Sequence, residues 1–384
     1  MIRALIFLIL TFSFHQSFAN PSNYSALGKA KYLLLIDQDT NEVLLEKNAD
    51  AIIYPSSMTK LMTAYVVFKQ LQAGKISLND KCLIGSDAQN KIGSKMLLEK
   101  KDVVTIDQLI SGLIIVSGND AAVALAQAVS GSVADFAALM NKNAKEIGLK
   151  NSQFKNPHGL NQDGHYMSLR DLAILSKRIK EEFPEYSHYF AEEEMVFNDN
   201  IRKNHNPLIQ NKYPGATGMK TGMTSKGGYG MVGTAQRGKK RLIAITNNAD
   251  SASQREEIIT AMLDYGFEGY TKVNILNKGE RVTKAKTWLG KKEDVDLVIA
   301  ENVEINIPNF YPTDEINLEV KYQEPIYTPI AQGQPVANLV IKIADKKIRE
   351  VPLLAQENID KADLLHRIYH STRYKIYQFL KNLK

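Results

Sequence analysis

Apolar and polar positions change their spacing several times along the chain, and each change marks an element. Residues 31–47, KYLLLIDQDTNEVLLEK, place two short apolar runs around Asp39-Thr40-Asn41, which predicts a β-hairpin. The stretch YPSSMTKLMTAYVV (54–67) then turns apolar at helical spacing. From Ile106 to Val129 the pattern is helical and rich in Ala and Leu, with a break at Ser117-Gly118-Asn119. Val133 to Ile147 and Ser168 to Phe183 read as two more amphipathic helices. Gly227 to Asn248 reads as two strands joined at Arg237-Gly238, and Gln254 to Tyr265 as another helix. A hairpin, helices, two strands and a helix predict an α+β domain ending near Tyr270.

The texture then changes. Residues 273–355 carry short β-rich runs, VDLVIA, VEINI, INLEVKY and VANLVIKI, separated by turn residues, which predicts a small all-β domain. Residues 356–384 are expected to form a C-terminal amphipathic helix. In it Leu365, Ile368, Tyr369, Ile376, Phe379, Leu380 and Leu383 share a stripe, and six Lys or Arg against one Asp occupy residues 361–384. A basic amphipathic helix suits peripheral attachment to a membrane surface. At the other end, a short basic start precedes an eleven-residue, mostly apolar run, Ala4 to Phe14, too short to span a bilayer. Ser17-Phe18-Ala19 supplies the small residues read at a cleavage site. Residues 1–19 are therefore expected to be a secretory signal, with the mature chain starting near Asn20.

Composition narrows the function without naming it. The 384 residues suffice for two domains with a substantial core. A formal charge of +6, without aromatic residues interleaved among basic clusters, argues against nucleic-acid binding. The single cysteine, Cys82, rules out an intrachain disulfide and a paired-cysteine metal site, and is expected to act as a small buried hydrophobe.

The candidate chemistry lies in three motifs in order: Ser57-Met-Thr-Lys60 at a helix start, Ser117-Gly-Asn119 at a helix break, and Lys220-Thr221-Gly222 beside a strand. Each alone is weak, since Ser152-Gln-Phe-Lys155 and Ser77-Leu-Asn79 repeat the first two spacings. Together they have a physical logic. A serine hydroxyl needs a base, and a neutral lysine one helical turn away can serve. Burial and a neighbouring cation both hold a lysine neutral, and Lys220 supplies the cation if its strand lies against the helix. The helix N-terminus offers free N–H groups where an oxyanion forms. Ser117 and Asn119 offer a hydroxyl and an amide; Lys220 and Thr221 suit a carboxylate; Gly222 leaves a strand edge clear for substrate. Of the paired serines, Ser56 reads as the N-cap, accepting from the N–H of Met58 or Thr59, and Ser57 as the nucleophile.

With these motifs in hand, the chain resembles the penicillin-recognising serine enzymes. Gly93-Ser94-Lys95-Met96, Ser117 to Ala126, Phe154 to Ala173 and Pro214 to Tyr229 are similar to the D-alanyl-D-alanine carboxypeptidases of low molecular mass, in the type-5 penicillin-binding protein group. The resemblance covers nearly the whole mature chain. It implies a β-lactamase/transpeptidase-like catalytic domain over 20–272, an antiparallel sheet flanked by helices with a helical subdomain. The β domain and amphipathic helix would be the group's other two parts. It implies Ser57 as the acylated nucleophile, Lys60 as general base, Ser117 as proton relay, and Asn119, Lys220, Thr221, Gly222 and Arg255 as substrate-binding residues. The backbone N–H groups of Ser57 and Met223 would form the oxyanion hole. Met223 stands where several relatives have histidine. No cofactor or metal is implied. The implied partners are the peptidoglycan stem peptide and β-lactams, at the periplasmic face of the cytoplasmic membrane.

Other readings carry less. Gly215 to Thr221 fails as a phosphate-binding loop because Met219 occupies a glycine position. His158 and His165 have no metal-binding pattern around them and are expected to order a loop. Glu194-Met-Val-Phe-Asn198 is similar to a β-lactamase deacylation loop but lies close before Lys220, so a strand is the better account. A non-catalytic cell-wall binding module is the alternative from another class, and the intact set of motifs argues against it.

Overall fold

The computed structural model describes residues 4–5, 24–309, 316–343 and 346–365, together with 367, 368 and 372. The expected signal cleavage site and more than half of the expected C-terminal helix, 356–384, lie outside them. The chain divides into two compact units, one ending at Gly269 and the other beginning at Tyr270.

The first unit is built on a five-stranded antiparallel sheet. Strand β1 (Tyr32–Asp37) and β2 (Val43–Lys47) form the expected hairpin, whose turn is held by the Asp37 carboxylate accepting from the N–H groups of Asp39 and Thr40, both 2.9 Å. Strands β3 (Ala216–Thr224), β4 (Gly228–Arg237) and β5 (Lys240–Ala249) complete it in the order β2-β1-β5-β4-β3. β1 thus pairs with β5, about two hundred positions later, with Leu35 opposite Ala244. Side chains alternate across the sheet. Leu35 and Leu242 approach Gly266 on helix α6 (Ala252–Glu268). Leu34, Ile36, Ile243 and Ile245 face the main core instead.

That core is assembled by helices whose starts are written in the sequence. α1 (Lys60–Gln72) is apolar on nearly every side, from Leu61 to Phe68, as a helix passing through a core must be. α2 (Ile106–Ile114) opens with a capping box between Thr105 and Gln108. α3 (Asn119–Ser130) ends at Gly131 in the left-handed region, φ 75°. α4 (Val133–Glu146), α5 (Leu169–Glu182) and α6 each start from a serine, Ser132, Ser168 and Ser251, whose side chain accepts from the N–H three residues on. Residues 194–198 form one strand of a hairpin, Glu194–Phe197 with Asn200–Lys203, and Glu194 is exposed. Cys82 is half-buried on the strand Lys81–Leu83 rather than fully enclosed, because its three-residue strand pairs on one side only.

The second unit is a β fold with a core of Val, Ile and Leu. Its larger sheet runs Ile316–Lys321, Pro335–Ile343, Lys346–Ala355, Asp294–Ile299, Arg281–Trp288, with Ala4–Leu5 paired at one edge and Ile326–Tyr327 at the other. Tyr270–Leu276 pairs with Val303–Pro308. Two boundaries differ from the expectation. The unit begins with the strand at Tyr270 rather than at 273, because Tyr270, Thr271 and Lys272 already pair with Pro308, Ile307 and Asn306, although burial starts only at Val273. Residues 356–362 are not helical: Ile359 bridges Ile330 and Lys361 bridges Gly290, and helical backbone starts at Leu364. Ile359 is buried in the β core, which holds this stretch extended.

Candidate active site

The serine pair sits on a 3-10 turn, Ser56–Thr59, that leads into α1. Pro55 occupies the cap position and its carbonyl accepts from Met58 N–H at 3.1 Å. Ser56 is not the N-cap expected from the sequence. Its backbone is left-handed, φ 51°, and its Oγ is within 2.9 Å of Thr224 Oγ1 on β3. The turn is clamped from both sides. A Cβ on Gly222 would lie 3.0 Å from the Pro55 carbonyl and 3.2 Å from the Met58 nitrogen, and one on Gly159, φ 84°, would overlap the Ser56 carbonyl. Gly222 therefore lets β3 press against the nucleophile turn; the sequence reading assigned its missing side chain to substrate clearance.

Lys60 is buried on the first turn of α1, with 1% exposure. Its Nζ lies 3.0 Å from Ser57 Oγ, 2.6 Å from Asn119 Oδ1 and 2.7 Å from the His158 carbonyl oxygen. A neutral amine has two N–H donors and one lone pair. Two partners here, Asn119 Oδ1 and the His158 carbonyl, can only accept. The lone pair is then left for the Ser57 hydroxyl. The electrostatics agree: burial, then the charge of Lys220, hold the Lys60 amine well below its ordinary range, with Asp120 opposing. Lys220 is itself pushed down to about 7 by burial and by Arg255. The three cations act in series, each disfavouring the charge of the next.

Ser117 occupies the break between α2 and α3 in the left-handed region, φ 59°. Its Oγ is buried and has no hydrogen-bond partner among the described residues. Asn119 is more committed than the sequence suggested: its N–H donates to the Ser94 carbonyl at 2.7 Å and its Nδ2 to the Ile92 carbonyl at 2.6 Å. Its side chain thereby joins the 92–94 loop to Lys60. Lys220, Thr221, Gly222 and Met223 follow on β3, with Lys220 and Thr221 buried and the Met223 side chain exposed. Arg255, on the first turn of α6, is half-buried, and its Nε has no partner among the described residues.

Two supporting groups, Asp120 and the His158 carbonyl, were not legible as such, whereas His158 and His165 were expected to order a loop. Asp120 is buried, and its carboxylate accepts from the N–H groups of Met96, Leu97 and Leu98 at 3.0 to 3.1 Å, which shapes the loop that Asn119 holds. The His158 carbonyl, not its ring, meets the Lys60 amine; the ring Nδ1 accepts from Leu160 N–H at 3.2 Å. His165 Nδ1 accepts from Lys155 N–H at 3.1 Å, so Nε2 carries the proton donated to Thr59 Oγ1 at 2.8 Å. Burial pushes His158 down to about 3 and His165 down to about 4, so both are neutral at pH 7 and order the loop. The only available signal was a buried-type pattern: acids and histidines beside Gly and Pro inside apolar segments.

The D-alanyl-D-alanine carboxypeptidase family profile matches residues 20–251, and the C-terminal domain of penicillin-binding protein 5 matches 270–361. The carboxypeptidase DacF of Bacillus subtilis (strain 168) is 35% identical over 342 residues, covering 88% of this chain and 87% of the relative. The solved penicillin-binding protein 5 of Haemophilus influenzae is 33% identical, with a TM-score of 0.79 over 86% of this chain and 98% of that one. Penicillin-binding protein D2 of Listeria monocytogenes, solved in its ampicillin-bound form, is 29% identical, with a TM-score of 0.57 over 62% of this chain and 97% of its own. With a serine, a buried lysine and their partners placed as above, the chain belongs to the D-alanyl-D-alanine carboxypeptidase family, followed by the C-terminal domain of penicillin-binding protein 5.

Proposed function

We propose that this site removes the terminal D-alanine from peptidoglycan stem peptides through an acyl-enzyme at Ser57. The observation that carries the reading is the buried Lys60 amine, pushed well below its ordinary range, 3.0 Å from Ser57 Oγ and flanked by two groups that can only accept, Asn119 Oδ1 and the His158 carbonyl. Lys60 takes the hydroxyl proton as Oγ attacks the carbonyl carbon of the penultimate D-alanine. The carbonyl oxygen becomes an oxyanion, received by the N–H groups of Ser57 and Met223. The C–N bond then breaks, and the proton reaches the leaving D-alanine amine through Ser117, whose buried hydroxyl has no other partner. Water adds to the ester, gives up its proton by the same route and releases the shortened peptide. The second Nδ2 hydrogen of Asn119 orients the substrate amide. Lys220, Thr221 and Arg255 receive the terminal carboxylate, which replaces the missing partner of Arg255 Nε. A β-lactam presents the same carboxylate beside a strained amide, so it acylates the same serine. Because the ring C–N bond breaks, its leaving amine stays attached to the acyl group instead of departing as D-alanine does, and the ester is longer-lived.

Residues 1–19 export the chain, and the segment after Ala362 attaches it to the outer face of the cytoplasmic membrane. The test uses the mature protein. It should release D-alanine from diacetyl-Lys-D-Ala-D-Ala, and a fluorescent penicillin should map to Ser57 in the digest. A label at any other residue, or none, overturns the mechanism. Rapid turnover of the penicillin without D-alanine release would point to a lactamase. Deleting residues 363–384 should release the protein from membranes; retention would overturn the anchor.

A further inference from the structure

The β unit carries an aromatic pair at the edge from which the chain's last segment leaves. The strand Arg281–Trp288 runs parallel to Ile326–Tyr327, with Trp288 opposite Tyr327. Thr328 Oγ1 donates to the Trp288 carbonyl at 2.8 Å and fixes the two strand ends together. Tyr327 is 64% exposed and Trp288 is half-buried. The residues after Trp288 hold the exit of the chain: Ala362 N–H donates to the Leu289 carbonyl at 2.8 Å, and Gly290 bridges Lys361. Immediately beyond, Leu364, Leu365 and Ile368 are exposed by 62%, 80% and 56%. Five large apolar or aromatic side chains thus flank one short exit.

The charges there cancel locally. Lys286 pairs with Asp294, Lys291 with Asp360, and Lys292 with Glu357. This edge therefore offers apolar and aromatic contact with little field of its own. The attraction to an anionic surface resides in residues 361–384, with six Lys or Arg against one Asp. Trp and Tyr, each with an apolar body and a polar tip, suit the headgroup level of a bilayer, and Leu and Ile the acyl boundary. A protein partner on this patch would have no reason to coincide with the exit of a basic amphipathic segment.

We infer that this edge of the β unit is itself a membrane-contact surface, with Trp288 and Tyr327 seated at the phospholipid headgroups beside the C-terminal segment. The inference rests on the proposed anchor and adds a second point of contact to it, which fixes the β unit against the bilayer instead of leaving it on a free tether. The chain has one tryptophan, so its emission reports this edge without a label. The full mature chain is mixed with vesicles of phosphatidylethanolamine and phosphatidylglycerol, with and without bromine-labelled acyl chains. A blue shift together with quenching by the brominated lipid is expected. Co-sedimentation with vesicles but unchanged, unquenched emission would overturn the inference and leave the anchor standing; no co-sedimentation overturns both. Tyr327→Asp should weaken vesicle binding about five- to tenfold while D-alanine release from a soluble peptide is unchanged. Vesicle binding equal to that of the parent would count against the patch.

Discussion

The two units bury different things. The β unit packs Val, Ile and Leu, and its buried polar groups are few, such as Asn306 and Glu319. The catalytic unit buries Lys60, Lys220, Asp120, His158 and His165 around one turn. Burying polar groups in this way costs stability unless each finds a partner. Here the carboxylate has its N–H donors and the histidines their loop, but burial pushes both lysines below their ordinary range, Lys220 to about 7, and Ser117 Oγ is left open. The lesson is that the catalytic unit uses low dielectric as a reagent, whereas the β unit uses it only to hold together.

The sharpest way to break this contrast is Ser57→Ala. It should remove all penicillin labelling and D-alanine release while thermal unfolding stays where it was; surviving label would show that the chemistry is elsewhere. Lys220→Gln should lower kcat/KM and, by removing a neighbouring positive charge, raise the Lys60 pKa. The acid limb of the acylation profile would then move to higher pH, and an unmoved limb would refute the series of cations.

The same contrast sets stability against pH. The buried histidines bind protons more readily in the unfolded chain, so the stability they contribute is complete above about pH 6.5 and is lost as pH falls toward about 4, where His165 titrates in the folded state. Calorimetry of the catalytic transition from pH 7 to 4 checks this, and a flat profile would contradict it.

Leu339→Ala, in the β core, should cost about 2–5 kcal/mol of that unit's stability and leave kcat on a soluble peptide unchanged. A matching loss of activity would erase the division of labour. The smallest effect is expected of Ser56→Ala. It loses one hydrogen bond to Thr224, about 1 kcal/mol, and keeps acylation. Loss of acylation would exchange the roles of the two serines.

Much of this was legible. The helices and hairpins declared themselves through periodicity and capping serines, because those signals are local. The three motifs named the reactive residues because their order and chemistry form one set. The role of Ser56 was misread, and the packing of Gly222 against the turn was missed, because both depend on a strand reaching the turn from more than 160 positions away. Asp120 and the His158 carbonyl went unseen because a buried acid beside Asn119 and a backbone oxygen leave no pattern of their own.

The sequence by itself determined which residues are able to react, where the apolar faces lie, and that a second, β-rich unit follows. Local spacing and side-chain chemistry suffice for that. Only the tertiary structure decided that the Lys60 amine is depressed far enough to suit the base proposed here. Burial and Lys220 on β3 push this amine well below the ordinary range, while acceptors on α3 and on the His158 loop fix where the amine sits, and none of these groups is near it in the chain. A lysine becomes a base through its surroundings, and those exist only once the chain has folded.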